Sequence, residues 1–342
     1  MADKVLVTGI SGFLGGHVAL ALLDAGYAVR GSVRDPGKAA AVQAALQRAS
    51  ASGNTDRLEF VALDLSRDDG WSEAAQGCRY VQHVASPLVL HMPHDREELI
   101  RPAVEGTRRA LRAGLAAGVE RIVLTSSVAA IVYGHPHTRA APFTDADWSN
   151  TEGQGVTAYT ESKTRAELEA WSIMEGAGRR NDLAVINPSV ILGPLLDSDP
   201  GTSGIMILRL LSGGVPAAPK IHFGIVDVRD VAELQLAAME TQPAGGRRFI
   251  ASAGALSFLE AAKALRQAFP SHAGKLPRFE LPNWAVRLYG LFDADIRGNL
   301  ESLGVVRRMD AGPARALLGR PFVSPAEAAV AMGRSMIARQ LV

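Results

Sequence analysis

A single cysteine, Cys78, occurs in the 342 residues, so no disulfide can form within the chain and the fold does not rely on one. That usage suits a reducing compartment, and a cytoplasmic location is expected. Nowhere do about 18 apolar residues run without interruption, so no membrane-spanning helix is expected. An excess of one charge is missing too. Lys and Arg number 36 against 35 Asp and Glu, a net charge of +1, with no long single-sign block. Neither nucleic acid nor an anionic membrane is therefore expected as a partner. Lys4 leads at once into a strand-like run and a glycine loop, with no separate apolar segment and cleavage site, so no signal peptide is expected. Internal repeats and low-complexity tracts are absent beyond mild alanine enrichment. What remains, 47% apolar and 21% charged, is the composition of a globular protein with a substantial core, in one large or two modest domains.

From residue 4 to about 188, short apolar runs alternate with helix-prone segments. Strands are expected over 5–7, 28–33, 58–65, 80–84, 121–125 and 183–187. Helices are expected over 17–24, 38–49, 70–76, 96–117 and 159–175. Such alternation implies βαβ units and a parallel sheet covered on both faces, a Rossmann-type doubly wound α/β fold. From 189 onward Pro188, Gly193, Pro194, Pro200, Gly201, Gly213, Gly214, Pro216 and Pro219 break the rhythm. A strand-then-helix pattern returns over 223–239, and helical pieces follow near 256–268 and 325–339. The expected division is a dinucleotide-binding domain over 1–188, with a return at 222–242, and a smaller, mainly substrate-binding region over 189–342.

Gly9, Gly12 and Gly15 stand three apart between the first strand and the first helix, in the run Gly9-Ile10-Ser11-Gly12-Phe13-Leu14-Gly15. A turn there needs glycine where the backbone bends sharply or approaches a pyrophosphate, and the following helix offers its N-terminal amides to phosphate. The spacing differs by one residue from the G-x-G-x-x-G dinucleotide fingerprint. A purely structural turn is the bland alternative. At the tip of the second strand an acid would favour NAD by accepting from a free ribose hydroxyl. Here the strand ends on Val33 and Arg34, with Lys38 one helical turn later, and Asp35 is the acid able to turn inward. Two cations at that point suit a 2′-phosphate, so NADP(H) is expected. Solvated surface charges are the alternative.

Tyr159 and Lys163 lie four apart on an expected helix, which stacks them on one face. Reduction of a carbonyl needs a proton delivered to the developing alkoxide. A free tyrosine, with a pKa of about 10, is a poor base for the reverse reaction at neutral pH, and a neighbouring ammonium would lower it. Lowering it by about 3 units corresponds to roughly 4 kcal/mol. The pattern alone arises often by chance. Its context adds Thr125-Ser126-Ser127 at the end of a central strand, where ligands bind in parallel sheets.

Taken together, these motifs resemble the extended short-chain dehydrogenases/reductases, in the branch of dihydroflavonol reductases, cinnamoyl-CoA reductases and microbial aldehyde or ketone reductases. The matching residues are Thr8 to Gly15, Val33 to Pro36, Asp64-Leu65, His83-Val84-Ala85-Ser86-Pro87, Thr125 to Ser127, Tyr159 to Lys163, Asn187-Pro188-Ser189 and Asp227 to Val231. The resemblance implies a proton-transfer role for Tyr159, a ribose-holding and pKa-lowering role for Lys163, and a substrate-oxygen role for Ser127. It places Gly9, Ser11, Gly12, Phe13, Leu14 and Gly15 on the pyrophosphate, and Arg34 and Lys38 on the 2′-phosphate. Asp64 and Leu65 would flank the adenine. Val84, Ala85, Ser86 and Thr125 would line the ribose-phosphate side, with Pro188 and Val190 at the nicotinamide. Where the plant flavonoid reductases carry asparagine five residues after the serine, this chain has Val132, which cannot hydrogen-bond substrate hydroxyls. A less polar aldehyde or ketone is therefore expected as the small-molecule partner, for a monomer or a homodimer.

Other side chains carry less. His91 and His94 flank Met92-Pro93 without a supporting carboxylate, so no metal is expected. They, with His135 and His137, are either solvated or line a substrate entrance. Trp148, Trp284, Tyr289 and Phe292 are either pocket wall or core, and Cys78 reads as an inert buried thiol. Two other functions stay open: a sugar-nucleotide epimerase or dehydratase that retains its cofactor, and a non-catalytic NADP sensor, which would need no Tyr-Lys pair.

Overall fold

The short apolar runs of the first half become strands of one sheet. The computed structural model describes residues 2–51, 53, 55–87, 95–292, 297 and 300–342. Its strands are β1 (Lys4–Thr8), β2 (Ala28–Val33), β3 (Leu58–Ala62), β4 (Tyr80–His83), β5 (Arg121–Thr125), β6 (Leu183–Pro188), β7 (Val190–Leu192), β8 (His222–Asp227), β9 (Arg248–Ala251) and β10 (Gly254–Ser257). Seven form a sheet in the order β3-β2-β1-β4-β5-β6-β9, every pairing parallel. The helices are α1 (Phe13–Asp24), α2 (Ala39–Ala49), α3 (Trp71–Ala75), α4 (Glu97–Ala116), α5 (Ala158–Gly176), α6 (Gly201–Leu211), α7 (Val228–Glu240), α8 (Phe258–Ala268), α9 (Asn283–Tyr289), α10 (Gly312–Leu318) and α11 (Pro325–Ala338).

Alternation along the strands divides the core. Val5 and Val7 point to one face with Val29, Val33, Val123, Ala184 and Ile186, beneath α1, α7 and α10. Leu6 points to the other with Val81, Ile122, Leu124 and Val185, beneath α3, α4 and α5. Each such side chain taken fully from water contributes about 1.5–3 kcal/mol, so continuous apolar runs are what a doubly covered parallel strand requires. Strand order reverses at β1, whose neighbours are β2 and β4. Beyond the C-terminal ends of those strands opens the crevice where ligands bind in such sheets. The Rossmann-type α/β fold is as expected from the sequence.

Some details differ from the sequence expectation. β3 stops at Ala62, although Leu63 N still donates to Val33 O at 3.0 Å. Asp64 then folds the chain into a tight turn, its Oδ1 accepting from Ser66 N at 2.8 Å and Ser66 Oγ at 2.7 Å. The returning strand and helix part company: β8 joins a second sheet, β10-β8-β7, while α7 packs beside α1 with Val228, Val231 and Leu234 in the first core. The seventh strand of the main sheet is instead β9. The small sheet is covered by α6, α8 and α11, whose Leu210, Leu265 and Met332 are fully buried. Capping boxes start two of these helices, Ser257 with Glu260 on α8 and Ser324 with Glu327 on α11.

Candidate active site

The glycine loop runs from the end of β1 into α1, and its three glycines answer to different constraints. Gly9 has φ +71°, and a Cβ there would lie 2.9 Å from Ala85 Cα. A Cβ on Gly15 would lie 2.1 Å from Gly9 O. Both glycines are therefore demanded by the protein itself. Gly12 is not: its φ is −86° and a Cβ would meet the protein only at 3.4 Å, at Gly9 O. Gly12 is exposed, sits at the N-cap of α1 without a capping side chain, and no acid occupies the first turn. Ser11, Phe13 and Leu14 complete the loop. The result is a bare, positive helix end with room for a close-lying anion, which fits a dinucleotide pyrophosphate.

Opposite the loop, Thr8 ties β1 to β4. Its Oγ1 accepts from Val84 N and Ala85 N, both at 3.1 Å, and lies 2.8 Å from His83 Nδ1. With both lone pairs engaged, the Thr8 hydroxyl must donate to Nδ1, so His83 carries its proton on Nε2. Complete burial, together with the charge of Lys163, pushes the His83 pKa down to about 3, so the ring is neutral. Val84, Ala85 and Ser86 leave this junction half-buried and line the crevice.

At the tip of β2, Arg34 and Lys38 are both exposed, and neither side chain makes a hydrogen bond or ion pair among the described residues. Asp35 does not turn into the site. It caps the short turn Pro36–Lys38, its Oδ1 accepting from Gly37 N at 2.9 Å. Asp64 stands near Arg34, and its carboxyl is held below its usual range, mainly by the Ser66 hydrogen bonds and also by the Arg34 charge. Leu65 lies against Gly106 of α4, where a Cβ would approach to 2.7 Å.

Helix α5 carries Tyr159 and Lys163 on one face. Thr157 caps it, accepting from Thr160 N at 3.2 Å, which fixes where the first turn begins. Lys163 is buried, with its Nζ 5.9 Å from the centre of the Tyr159 ring, whereas Tyr159 is 39% exposed. Burial of its inner end raises the Tyr159 pKa, and hydrogen bonding by the Ser127 hydroxyl pulls it partly back. The net shift of the phenol is therefore upward, because desolvation outweighs the influences that favour the phenolate. Burial instead brings Lys163 down to about 8, with Glu167 opposing. Ser127 follows β5 in extended conformation, and its Oγ accepts from Ala129 N at 3.1 Å. Thr125 Oγ1 accepts a short hydrogen bond from Gln235 Nε2. Pro188 closes β6, and Val190 opens β7 opposite Ile225.

Several residues of this site escape the sequence reading. Glu167, one turn beyond Lys163, is fully buried and ion-paired with Arg248 of β9 at 2.5 Å. Spacing i, i+4, i+8 from Tyr159 was its only signal. Tyr133 lies within electrostatic reach of Tyr159, and the Arg307 guanidinium stacks over the Tyr133 ring at 4.6 Å. A cavity of about 20 Å³, room for one water, lies behind Lys163 and is lined by His83, Thr107, Ser126 and Glu167 among others.

A larger apolar cavity of about 280 Å³ lies in the second half, lined among others by Ile205, Met206, Val215, Phe223, Phe258 and Leu281. Phe223, Ile225 and Val190 pack on the same core cluster of the small sheet. Of the aromatic wall candidates, Trp148 packs under the Arg248 guanidinium at 3.8 Å, and Trp284 and Phe292 are exposed. The Tyr289 side chain lies outside the described residues, as do His91, Met92, Pro93 and His94. His135 is held at the Trp148 carbonyl at 2.9 Å. Val132 is buried in an apolar cluster with Ile131, Phe143 and Ile250. Cys78 is buried, and burial pushes its thiol pKa up. No helix among the described residues is long and apolar enough to cross a membrane.

Against known proteins, a profile of the NAD dependent epimerase/dehydratase family matches residues 5–251. Tetraketide alpha-pyrone reductase 2 of Arabidopsis thaliana is 34% identical over 275 residues, 79% of this chain and 84% of that protein. Cinnamoyl-CoA reductase CAD2 of Medicago truncatula is 34% identical over 278 residues, 79% and 82% of the two chains. Among solved structures, yeast methylglyoxal/isovaleraldehyde reductase Gre2 complexed with NADPH superimposes with a TM-score of 0.81 at 25% identity, covering 99% of this chain and 100% of that one.

Proposed function

Since the chain belongs to the NAD dependent epimerase/dehydratase family, among the extended short-chain dehydrogenases/reductases, we propose that it reduces aldehydes or ketones to alcohols with NADPH. The observation that carries this reading is the grouping of the Tyr159 phenol with the Ser127 hydroxyl and the buried Lys163. Bound NADPH would supply the hydride. Gly12 and the bare end of α1 would hold its pyrophosphate, with Gly9, Ser11, Phe13, Leu14 and Gly15 shaping the loop. Arg34 and Lys38 would hold the 2′-phosphate, and Asp64 and Leu65 would flank the adenine. Val84, Ala85, Ser86 and Thr125 would line the ribose side, and Pro188 and Val190 the nicotinamide.

Ser127 holds the carbonyl oxygen by donating its hydroxyl proton. Tyr159 gives its phenolic proton to that oxygen as negative charge develops on it. A phenol raised by burial is protonated at neutral pH, as a donor in the reductive direction must be. The Lys163 ammonium beside it stabilises the phenolate that the transfer leaves. The apolar cavity of about 280 Å³ in the second half supports a carbonyl compound with an apolar substituent. Work in the cytosol, as a monomer or homodimer, completes the reading.

The test is NADPH consumption with a panel of aliphatic and aryl carbonyl compounds, in parallel with NADH. Turnover with NADPH supports the reading. A purified protein that carries tightly held oxidised cofactor and consumes no NADPH with any of them would mark an epimerase or dehydratase.

A further inference from the structure

Behind Tyr159 and Lys163, on the same face of α5, the Glu167 carboxylate meets four donors, three of them from other elements and one, Trp171, from α5 itself. Its Oε1 accepts from Arg248 Nε at 2.5 Å and Trp171 Nε1 at 3.4 Å. Its Oε2 accepts from Ser126 Oγ at 2.5 Å and Asn187 Nδ2 at 2.7 Å. Four donors fill the lone-pair positions of an ionised carboxylate. The second hydrogen of the Asn187 amide goes to the Ser127 carbonyl at 3.1 Å. Arg248 donates further to the carbonyls of Asp145 and Asp147, at 2.9 and 2.6 Å. One carboxylate therefore joins α5, the end of β5, the end of β6, β9 and the 145–148 loop.

We propose that Glu167, held by Arg248, is a positioning residue for proton transfer, fixing Ser127 and Lys163 against Tyr159. The proposal rests on the reductase reading above. A buried ion pair is a poor device for stability alone, since apolar residues of similar volume often serve as well or better. This pair is spent on geometry. Through Ser126 and Asn187 it immobilises both the residue before Ser127 and the Ser127 carbonyl, leaving the Ser127 hydroxyl free to address Tyr159 and a substrate.

Its charge acts one turn away. The titratable or charged groups around Lys163 are Tyr159 and Glu167 on its own helix, neutral His83 from β4, and Arg248 from β9 behind Glu167. Strand β5 and α4 bring Ser126 and Thr107 to the same small cavity without charge. Glu167 is the anion of that set, and it keeps the ammonium of a lysine that burial would otherwise discharge.

The test is Glu167→Gln in the full-length protein. An amide has one acceptor oxygen, so it cannot satisfy donors on both sides. NADPH affinity by fluorescence titration and KM for the carbonyl compound should stay within about twofold of wild type. The kcat should fall by about ten- to a hundredfold, the scale on which small displacements of catalytic groups act. The alkaline limb of the kcat profile should move to lower pH by on the order of one unit, because loss of a neighbouring anion favours neutral lysine. A folded variant that loses only thermal stability, with kcat and alkaline limb unchanged, overturns the proposal. Should Glu167→Gln fail to fold, Ser126→Ala removes one donor and leaves the ion pair intact. A lower kcat at constant KM supports the proposal, and an unchanged kcat overturns it. Tyr159→Phe is measured alongside. If that variant retains turnover, the reductase chemistry itself fails; if it is inactive, the Glu167 result judges the positioning role alone.

Discussion

Replacing each glycine of the loop by alanine should separate what the fold needs from what the cofactor needs. Gly15→Ala puts a methyl group 2.1 Å from a backbone oxygen that cannot swing aside. Overpacking of that severity costs about 3 kcal/mol, the upper part of its usual range. At roughly 2 °C per kcal/mol for a chain of this size, Tm should fall by about 6 °C. Gly9→Ala adds a left-handed backbone cost of about 1–2 kcal/mol to its contact with Ala85. Gly12→Ala meets the protein only at 3.4 Å with a negative φ. Its Tm without cofactor should stay within about 1 °C, helped by the lower entropy of the unfolded chain. The new methyl nevertheless occupies the space where a pyrophosphate would lie, and a loss of about 1.4 kcal/mol or more would weaken NADPH at least tenfold. Thermal unfolding without cofactor and NADPH fluorescence titration read the two effects separately. Wild-type NADPH affinity in Gly12→Ala would refute the reasoning, and so would a Tm loss in that variant equal to that of Gly15→Ala.

Two further outcomes follow. Arg34→Ala should weaken NADPH about tenfold, the loss of one charge-assisted hydrogen bond of about 1.5 kcal/mol at an exposed site, while NADH affinity changes less than twofold; equal losses for both cofactors would contradict the 2′-phosphate assignment. His83 has a folded-state pKa lowered to about 3, so its contribution to stability is present above the unfolded value of about 6.5 and is lost as pH falls from 6.5 toward 3, where the unfolded chain binds a proton that the folded chain refuses. His83→Gln should therefore flatten the acid side of the stability curve in urea unfolding; an unchanged slope between pH 6 and 4 would show that the ring is not held neutral.

The sequence reading recovered what local chemistry dictates. Val5-Leu6-Val7 and residues 121–125 read as doubly buried strands because each alternate side chain meets a helix layer. The apolar spacing places the start of α1 at 17 rather than Phe13, because Gly15 and Gly16 in its first turns disguise helix. β9 was invisible: four residues long, it begins with Arg248, a charge that reads as surface until its partner Glu167, 81 residues away, is in view. The pairing of β8 with β7 and β10 is likewise set by tertiary contact, since its own residues are equally suited to either sheet. For the site, spacing sufficed to bring Tyr159 and Lys163 onto one face, but not to foresee that burial raises the phenol. That outcome depends on how deeply α5 packs against α4 and β5. Tyr133 and Arg307 lie 174 residues apart, and nothing in either segment announces the other.

Tyr159→Phe tests the central claim most directly, with single-turnover NADPH oxidation and NADPH titration on the same preparation. The phenyl ring keeps the packing and removes only the hydroxyl whose proton the carbonyl oxygen is to receive. NADPH should bind within about twofold of wild type while the oxidation rate falls by a factor on the order of 100 or more, the usual range for a lost general acid. Oxidation at the wild-type rate in that variant would contradict the account.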